Sequence, residues 1–375
     1  MRKEEIRGLI VYLLLIVAAI IVGLAVIKPT METYGPVHMS PLLFIIIVLV
    51  VAYLFNVIGL EILHVIGAVL GGYKVISFNV LGLCFHKEKD KWKFGLREFN
   101  GVSGETKVAP KKEKLYPNRM PALAFFGFAA ELAICIVINS IIKGQAKPTA
   151  KWLVAASSIF ILVSSLLAFY NFIPVKLDSM TDGYKVKLFT KPVNVEAYNA
   201  MLTVQEKKRL GESVGKIPVF DEITDYTAEI NMLAMYQCLE DEKYEEAEKI
   251  LDKLLENLKV LSSKDGNRLI AQKLYLAILT KHLEEAKKLY DEICPIEIRR
   301  FISNDVSMPS IRAYIMIAGM IESSESEVIF AKSKVEKAKK RALASEIKAE
   351  EILLEKALKY VYENHPKWSK ENAQE

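Results

Sequence analysis

Apolar residues are concentrated in the first half of the chain, in four uninterrupted runs. Leu9 to Ile27 is nineteen residues without a charge, and Pro41 to Leu70 is thirty with Glu61 as its one carboxylate. Met120 to Ile142 carries only Glu131, and Trp152 to Pro174 carries no charge. Crossing about 30 Å of hydrocarbon takes roughly 20 residues of helix, so the pattern predicts transmembrane helices over about 9–27, 41–71, 120–142 and 151–173. Between the second and third, residues 72–110 alternate β-branched and aromatic residues with charged and Gly-containing breaks, which predicts a small antiparallel sheet with a hairpin tip at HKEKDKWK.

Beyond Tyr184 the apolar runs stop and Glu, Lys, Ala and Leu recur at helical spacing. KYEEAEKILDKLL (243–255) and HLEEAKKLYDEIC (282–294) resemble each other 39 residues apart, each preceded by an apolar helical run. Helix hairpins of a tetratricopeptide type would produce this spacing, as would an ordinary antiparallel bundle. Residues 324–362 are helix-favouring and strongly charged, which predicts a solvated capping helix. The fold expected is an all-α membrane protein, four transmembrane helices with a small cytoplasmic β-sheet insertion in residues 1–190, followed by an α-helical, tetratricopeptide-like soluble domain in residues 191–375.

Charge sets the orientation. The segment Gly72 to Arg119 holds eleven Lys/Arg, against one in Lys28 to Ser40 and three in Lys143 to Lys151. Positive loops stay inside, which puts both termini and the sheet in the cytoplasm of a multi-pass protein of the cell membrane. The net charge of +5 then reflects topology, and no basic stripe with interleaved aromatics points to nucleic acid. Arg2, Lys3 and Arg7 precede the first run as in a signal peptide, but the exit IKPTMETYG has no small-x-small site, so the helix is expected to be retained. Cys84, Cys135, Cys238 and Cys294 are scattered without CxxC spacing, which indicates neither a disulfide framework nor a cysteine metal site.

Ionisable residues within a membrane helix are costly and point to function. Glu61 and His64 are three apart, on one face of the second helix close to its cytoplasmic end, with Asn56 further inward. The fourth helix ends in NFIPVKLDSMTDG (171–183), which topology brings to the same side with Asn171, Asp178 and Asp182. LExxH followed by GAVLGGYKVISFNVLG, together with NFIPVKLDSMTDG, resembles the site-2 protease family of intramembrane zinc metallopeptidases. The likeness covers roughly the first 190 residues. It implies a zinc cofactor, His64 and Asp182 as metal ligands, Glu61 as the general base, and Asn171 as a residue holding peptide or orienting the ligand carboxylate. The partners it implies are transmembrane or juxtamembrane protein segments, with the helical tail (200–375) left to contact a cytoplasmic protein.

The sequence departs from the family at its first metal position, where Leu60 replaces an imidazole and cannot donate a lone pair. Ile62 and Leu63 are bulkier than the Leu-Gly pair common there, and Phe128 and Glu131 of FFGFAAEL stand in place of a proline and an asparagine. Asp178 is a possible substitute ligand, and Glu131 another if it faces inward. Three readings follow: a weakened zinc metallopeptidase, a catalytically silent relative that still binds membrane segments, and, of a different class, a small transporter or carrier subunit using Glu61, Glu131 and His64 as a polar relay or a non-enzymatic scaffold recruiting a cytoplasmic partner through its helical tail.

Overall fold

The first apolar run folds as α1 (Lys3–Val22), a π-helical turn (Gly23–Ile27) and α2 (Lys28–Tyr34). The helix therefore continues past residue 27, where the hydrophobic run stops. In the π-helical turn Lys28 N–H bonds the Gly23 carbonyl, and Pro29, which has no N–H, then falls in the first turn of α2, where no such donor is needed. The second run is α3 (Pro41–Leu70), opened by Pro41 in its first turn and stopped at Gly71 and Gly72, the latter at φ +92°. This computed structural model describes residues 3–88, 91–96, 104–145, 151–176, 180–340 and 344–368.

Four strands follow, β1 (Tyr73–Val80), β2 (Leu83–Glu88), β3 (Lys91–Leu96) and β4 (Gly104–Pro110), in an antiparallel sheet of order β3-β2-β1-β4. Leu81 and Gly82 both have positive φ between paired Val80 and Leu83, the two-residue hairpin geometry whose twist suits the strands. Glu88 pairs with Lys91 across the expected charged tip, whose Lys89 and Asp90 lie outside the described residues. Alternation puts Leu83, Phe85, Lys87, Trp92, Phe94 and Leu96 on one face. The five apolar members of that face are all exposed.

The third and fourth runs are α4 (Arg119–Gln145) and α5 (Lys151–Phe172). The segments Ile6–Tyr34, Pro41–Leu70, Arg119–Gly144 and Lys151–Phe172 are each long and apolar enough to cross a membrane. Most apolar side chains along them are exposed, α3 burying mainly the stripe that meets α4 and α5. Polar side chains tie the helices together. Asn139 of α4 donates to Ser157 of α5 at 2.6 Å, and Asn56 of α3 donates to Ser164 of α5 at 2.9 Å.

After α6 (Asp182–Leu188), the chain divides between Val195 and Glu196, in the first turn of α7 (Pro192–Leu210), into two compact units. Beyond α7 and the non-helical segment 211–224, the regular elements of the second unit are all helices: α8 (Asp225–Glu240), α9 (Tyr244–Glu256), α10 (Ser263–Thr280), α11 (Leu283–Ile293), α12 (Ile296–Asn304), α13 (Met308–Met316) with a π-helical turn (Ile317–Ile321), α14 (Glu325–Ser333), α15 (Val335–Lys339) and α16 (Ala344–Asn364). The two similar segments are α9 and α11, each packed against the helix before it, α8 and α10. In α9, Ala247, Ile250, Leu251 and Leu254 are buried at the i, i+3, i+4, i+7 spacing of one helix face.

The charged C-terminal stretch is three helices rather than one solvated helix, and α16 buries Leu353, Leu354, Ala357 and Val361 while packing on α13. Its charge is partly inward. Arg312 of α13, fully buried, donates Nε to Glu350 of α16 at 3.0 Å and Nη2 to Gln272 of α10 at 3.1 Å, with its guanidinium 4.2 Å from the Tyr275 ring centre. Removing one partner would leave the other charge buried and alone. Arg312→Met is therefore expected to destabilise the second unit by about 3–5 kcal/mol, and Arg312→Met combined with Glu350→Leu by clearly less. Thermal melting followed by circular dichroism checks this; a double variant no more stable than the single would show that the pair's charge is not what the helices depend on.

Candidate functional site

Three segments of the first unit carry the polar residues that the sequence singles out. Glu61 and His64 project from one face of α3, Asn171 lies in the last turn of α5, and Asp182 opens α6. Glu61, His64 and Asp182 are all buried. His64 Nε2 and Asp182 Oδ2 are 2.7 Å apart, and His64 Nδ1 is 3.4 Å from Glu61 Oε2. Asn171 Nδ2 donates to Asp182 Oδ2 at 2.8 Å, while the Asp182 N–H donates back to Asn171 Oδ1 at 3.3 Å.

The local sequence explains how Asp182 comes to lie against α3. Thr181 caps α6 by accepting the Tyr184 N–H, and its hydroxyl also lies 2.7 Å from the Ile173 carbonyl, which ties the start of α6 to the end of α5. Gly183 is needed for that approach, because a Cβ there would meet the Phe172 carbonyl oxygen at 2.0 Å. Lys185, one turn along α6, donates to the second carboxylate oxygen of Asp182 at 3.1 Å. Burial alone would raise the pKa of Asp182, but His64 and Lys185 at its two oxygens, with the Asn171 amide, hold it well below the usual carboxylate range.

Two further contacts come from the sheet. Thr106 of β4 donates to Glu61 Oε2 at 2.6 Å. Gly104 lets the strand come this close, since a Cβ would meet Glu61 Cγ at 2.8 Å and the Asn79 carbonyl oxygen at 2.5 Å. Sequence reasoning does not single out Thr106 or Lys185 as site residues. Lys185 had a signal, its i,i+3 spacing from Asp182, whereas Thr106 depends on strand pairing that no local pattern reveals.

Glu131 does not join this group. It accepts a hydrogen bond from Ser164 at 2.9 Å, and Ser164 in turn accepts from Asn56, about 12 Å from His64 along α3. Asp178 lies outside the described residues. Leu60 packs in an apolar cluster with Ala124 and Phe128 of α4, bordered by Leu63, Leu167, Ala168 and Phe172. The Leu60 side chain is thus surrounded by hydrocarbon.

A zinc ion does not fit these residues. Structural and catalytic zinc takes at least three protein donors. Here Asp182 is already shared among His64, Asn171 and Lys185, and Nε2 of His64 is spent on the carboxylate. Among the described residues no three His, Cys, Asp or Glu side chains are grouped to hold a metal. What the arrangement does supply is a buried, charge-assisted contact across three helices, a class of hydrogen bond worth about 1.5–3 kcal/mol.

Elemental mass spectrometry of the purified protein is accordingly expected to find far less than one zinc per chain, and Leu60→His to gain none, because the new imidazole would face Phe128 and Ala124. One zinc per chain in Leu60→His would show instead that the His64–Asp182 contact opens for a metal. Comparison with protein-family models, with curated proteins and with solved structures gives no match, so the chemistry of this site is read from its own geometry.

Proposed function

We propose that this chain is a multi-pass membrane protein of site-2-protease type that binds transmembrane or juxtamembrane segments without hydrolysing them. The observation that carries the reading is the direct 2.7 Å contact between His64 and Asp182 beside a Leu60 packed in hydrocarbon. A peptidase needs a held and activated water, and a donor set committed to its own hydrogen bonds offers no position for one. Membrane insertion is supported by the four long apolar helices with mostly exposed apolar side chains, and by the exposed apolar face of β2 and β3. The lysine and arginine bias of residues 72–119 supports cytoplasmic termini.

The segment-binding surface in this reading is β4. It pairs with β1 alone among the described residues, so it ends the sheet, and its Thr106 touches Glu61. An extended partner adding to such an edge gains main-chain hydrogen bonds whatever its side chains. The paired helices α8–α9 and α10–α11 support a tetratricopeptide-like role for the tail in holding a cytoplasmic protein.

A photo-crosslinking residue in place of exposed Lys107 on β4, in the full chain within its native membrane, tests the binding surface. Capture of full-length membrane segments, unchanged in Glu61→Gln, is the expected result. Shortened partner fragments that vanish in Glu61→Gln would instead make the protein a peptidase. A chain ended at Leu210 is expected to keep these crosslinks but to lose the cytoplasmic protein recovered with the full chain; undiminished recovery would move that contact to the first unit.

A further inference from the structure

The loop from β4 to α4 contains KKEKLYPNR (111–119), four cations and one carboxylate within nine residues. Its path is clamped onto the end of α3. The backbone N–H groups of Lys111 and Lys112 both donate to the Gly72 carbonyl, at 3.0 and 3.1 Å, and that of Tyr116 donates to the Gly71 carbonyl at 2.8 Å. Arg119 donates Nη1 to the Leu70 carbonyl, and its guanidinium lies 4.5 Å from the Tyr116 ring centre. All of these except Gly71, with Glu113 and Lys114, line an open surface concavity of about 520 Å³.

The charges in this cavity are unbalanced. Lys111, Lys112 and Lys114 are exposed, and their ammonium groups have no acidic partner among the described residues. Glu113 is the one carboxylate in the lining. Three ammonium groups within four residues repel one another, and the repulsion is relieved by an anion placed among them. The cavity sits where two candidate membrane spans meet: Leu70 is the last residue of one and Arg119 the first of the next, and both spans pack together. Exposed Leu70 and Tyr116 give its rim an apolar and an aromatic edge of the kind found at headgroup depth.

We propose that this cavity binds the phosphate of an anionic glycerophospholipid headgroup, with Lys111, Lys112, Lys114 and Arg119 as its donors. Fixed backbone on both sides and a guanidinium already held against Tyr116 pre-organise the donors, and basic pockets between membrane helices take such headgroups. The site requires only that α3 and α4 lie in a bilayer and is independent of whether the Glu61–His64–Asp182 group is catalytic.

Native mass spectrometry of the full chain in maltoside micelles doped with dioleoyl phosphatidylglycerol or dioleoyl phosphatidylcholine tests it. One phosphatidylglycerol is expected to be retained in preference to phosphatidylcholine. At about fivefold per lysine at low salt, the Lys111→Gln, Lys112→Gln, Lys114→Gln triple variant is expected to bind it about a hundredfold more weakly. The corresponding Lys→Arg triple should keep binding, which separates lost charge from a lost fold. The Lys249→Gln, Lys264→Gln, Lys287→Gln triple makes the same change in net charge within the tail and should bind as the parent does. Equal weakening in both Gln triples, or equal retention of phosphatidylcholine, would overturn the site. Displacement of the lipid by millimolar inorganic phosphate would make free phosphate the ligand and overturn the lipid assignment.

Discussion

The buried contact between His64 and Asp182 constrains the rest of the first unit. The Asp182 carboxylate without its partners would be an uncompensated buried charge, which costs several kcal/mol. The contact therefore dictates where the two segments must go. α6 has to begin against α3, which in turn requires the sharp return from α5 that Thr181 ties down and Gly183 leaves room for. Asn171 and Lys185 complete the carboxylate's hydrogen bonds, so the acid is fixed from three sides and the imidazole from two. The sheet is recruited to the same point through Thr106, and the close passage of Gly104 follows from it.

At the His64–Asp182 contact an imidazole, two carboxylates and an amide converge, and Lys185 adds a positive charge beside Asp182. One turn before His64 on α3, Leu60 packs with Ala124 and Phe128. An apolar wall of this kind has no partners for a hydrated ion, so an imidazole introduced at Leu60 would find both the packing and the lysine opposed to metal binding.

Much of this was legible in the sequence, for reasons that differ by residue. Four long apolar runs have few structural alternatives, so the helices were readable to within a few residues except at the first, where a π-helical turn carried the chain beyond Lys28 and Pro29. Glu61 and His64 share a face by helical spacing alone, and charge bias brings Asn171 and Asp182 to the same end. Thr106 was not legible because its position depends on the pairing of β4 with β1 across more than twenty residues of chain. Glu350 falls in the stretch 324–362 whose composition suggests a solvated helix, because composition cannot distinguish a carboxylate facing water from one paired with a buried arginine such as Arg312. Burial of charge is a property of three helices at once, and no single window contains it.

The polar groups of α3 also bear on whether the helices could pass a proton or ion along their length. Asn56, Leu60 and His64 are spaced four apart and so form one stripe, each about 6 Å beyond the last. Asn56 belongs to a chain with Ser164 and Glu131, and His64 to the group with Asp182. A relay would need hydrogen-bonding groups or water between them. What lies between is Leu60, enclosed by Ala124 and Phe128, and an apolar enclosure of this kind has no partners with which to hold a water. Leu60 thus separates the two polar clusters of α3, and a relay along this stripe would have to cross it.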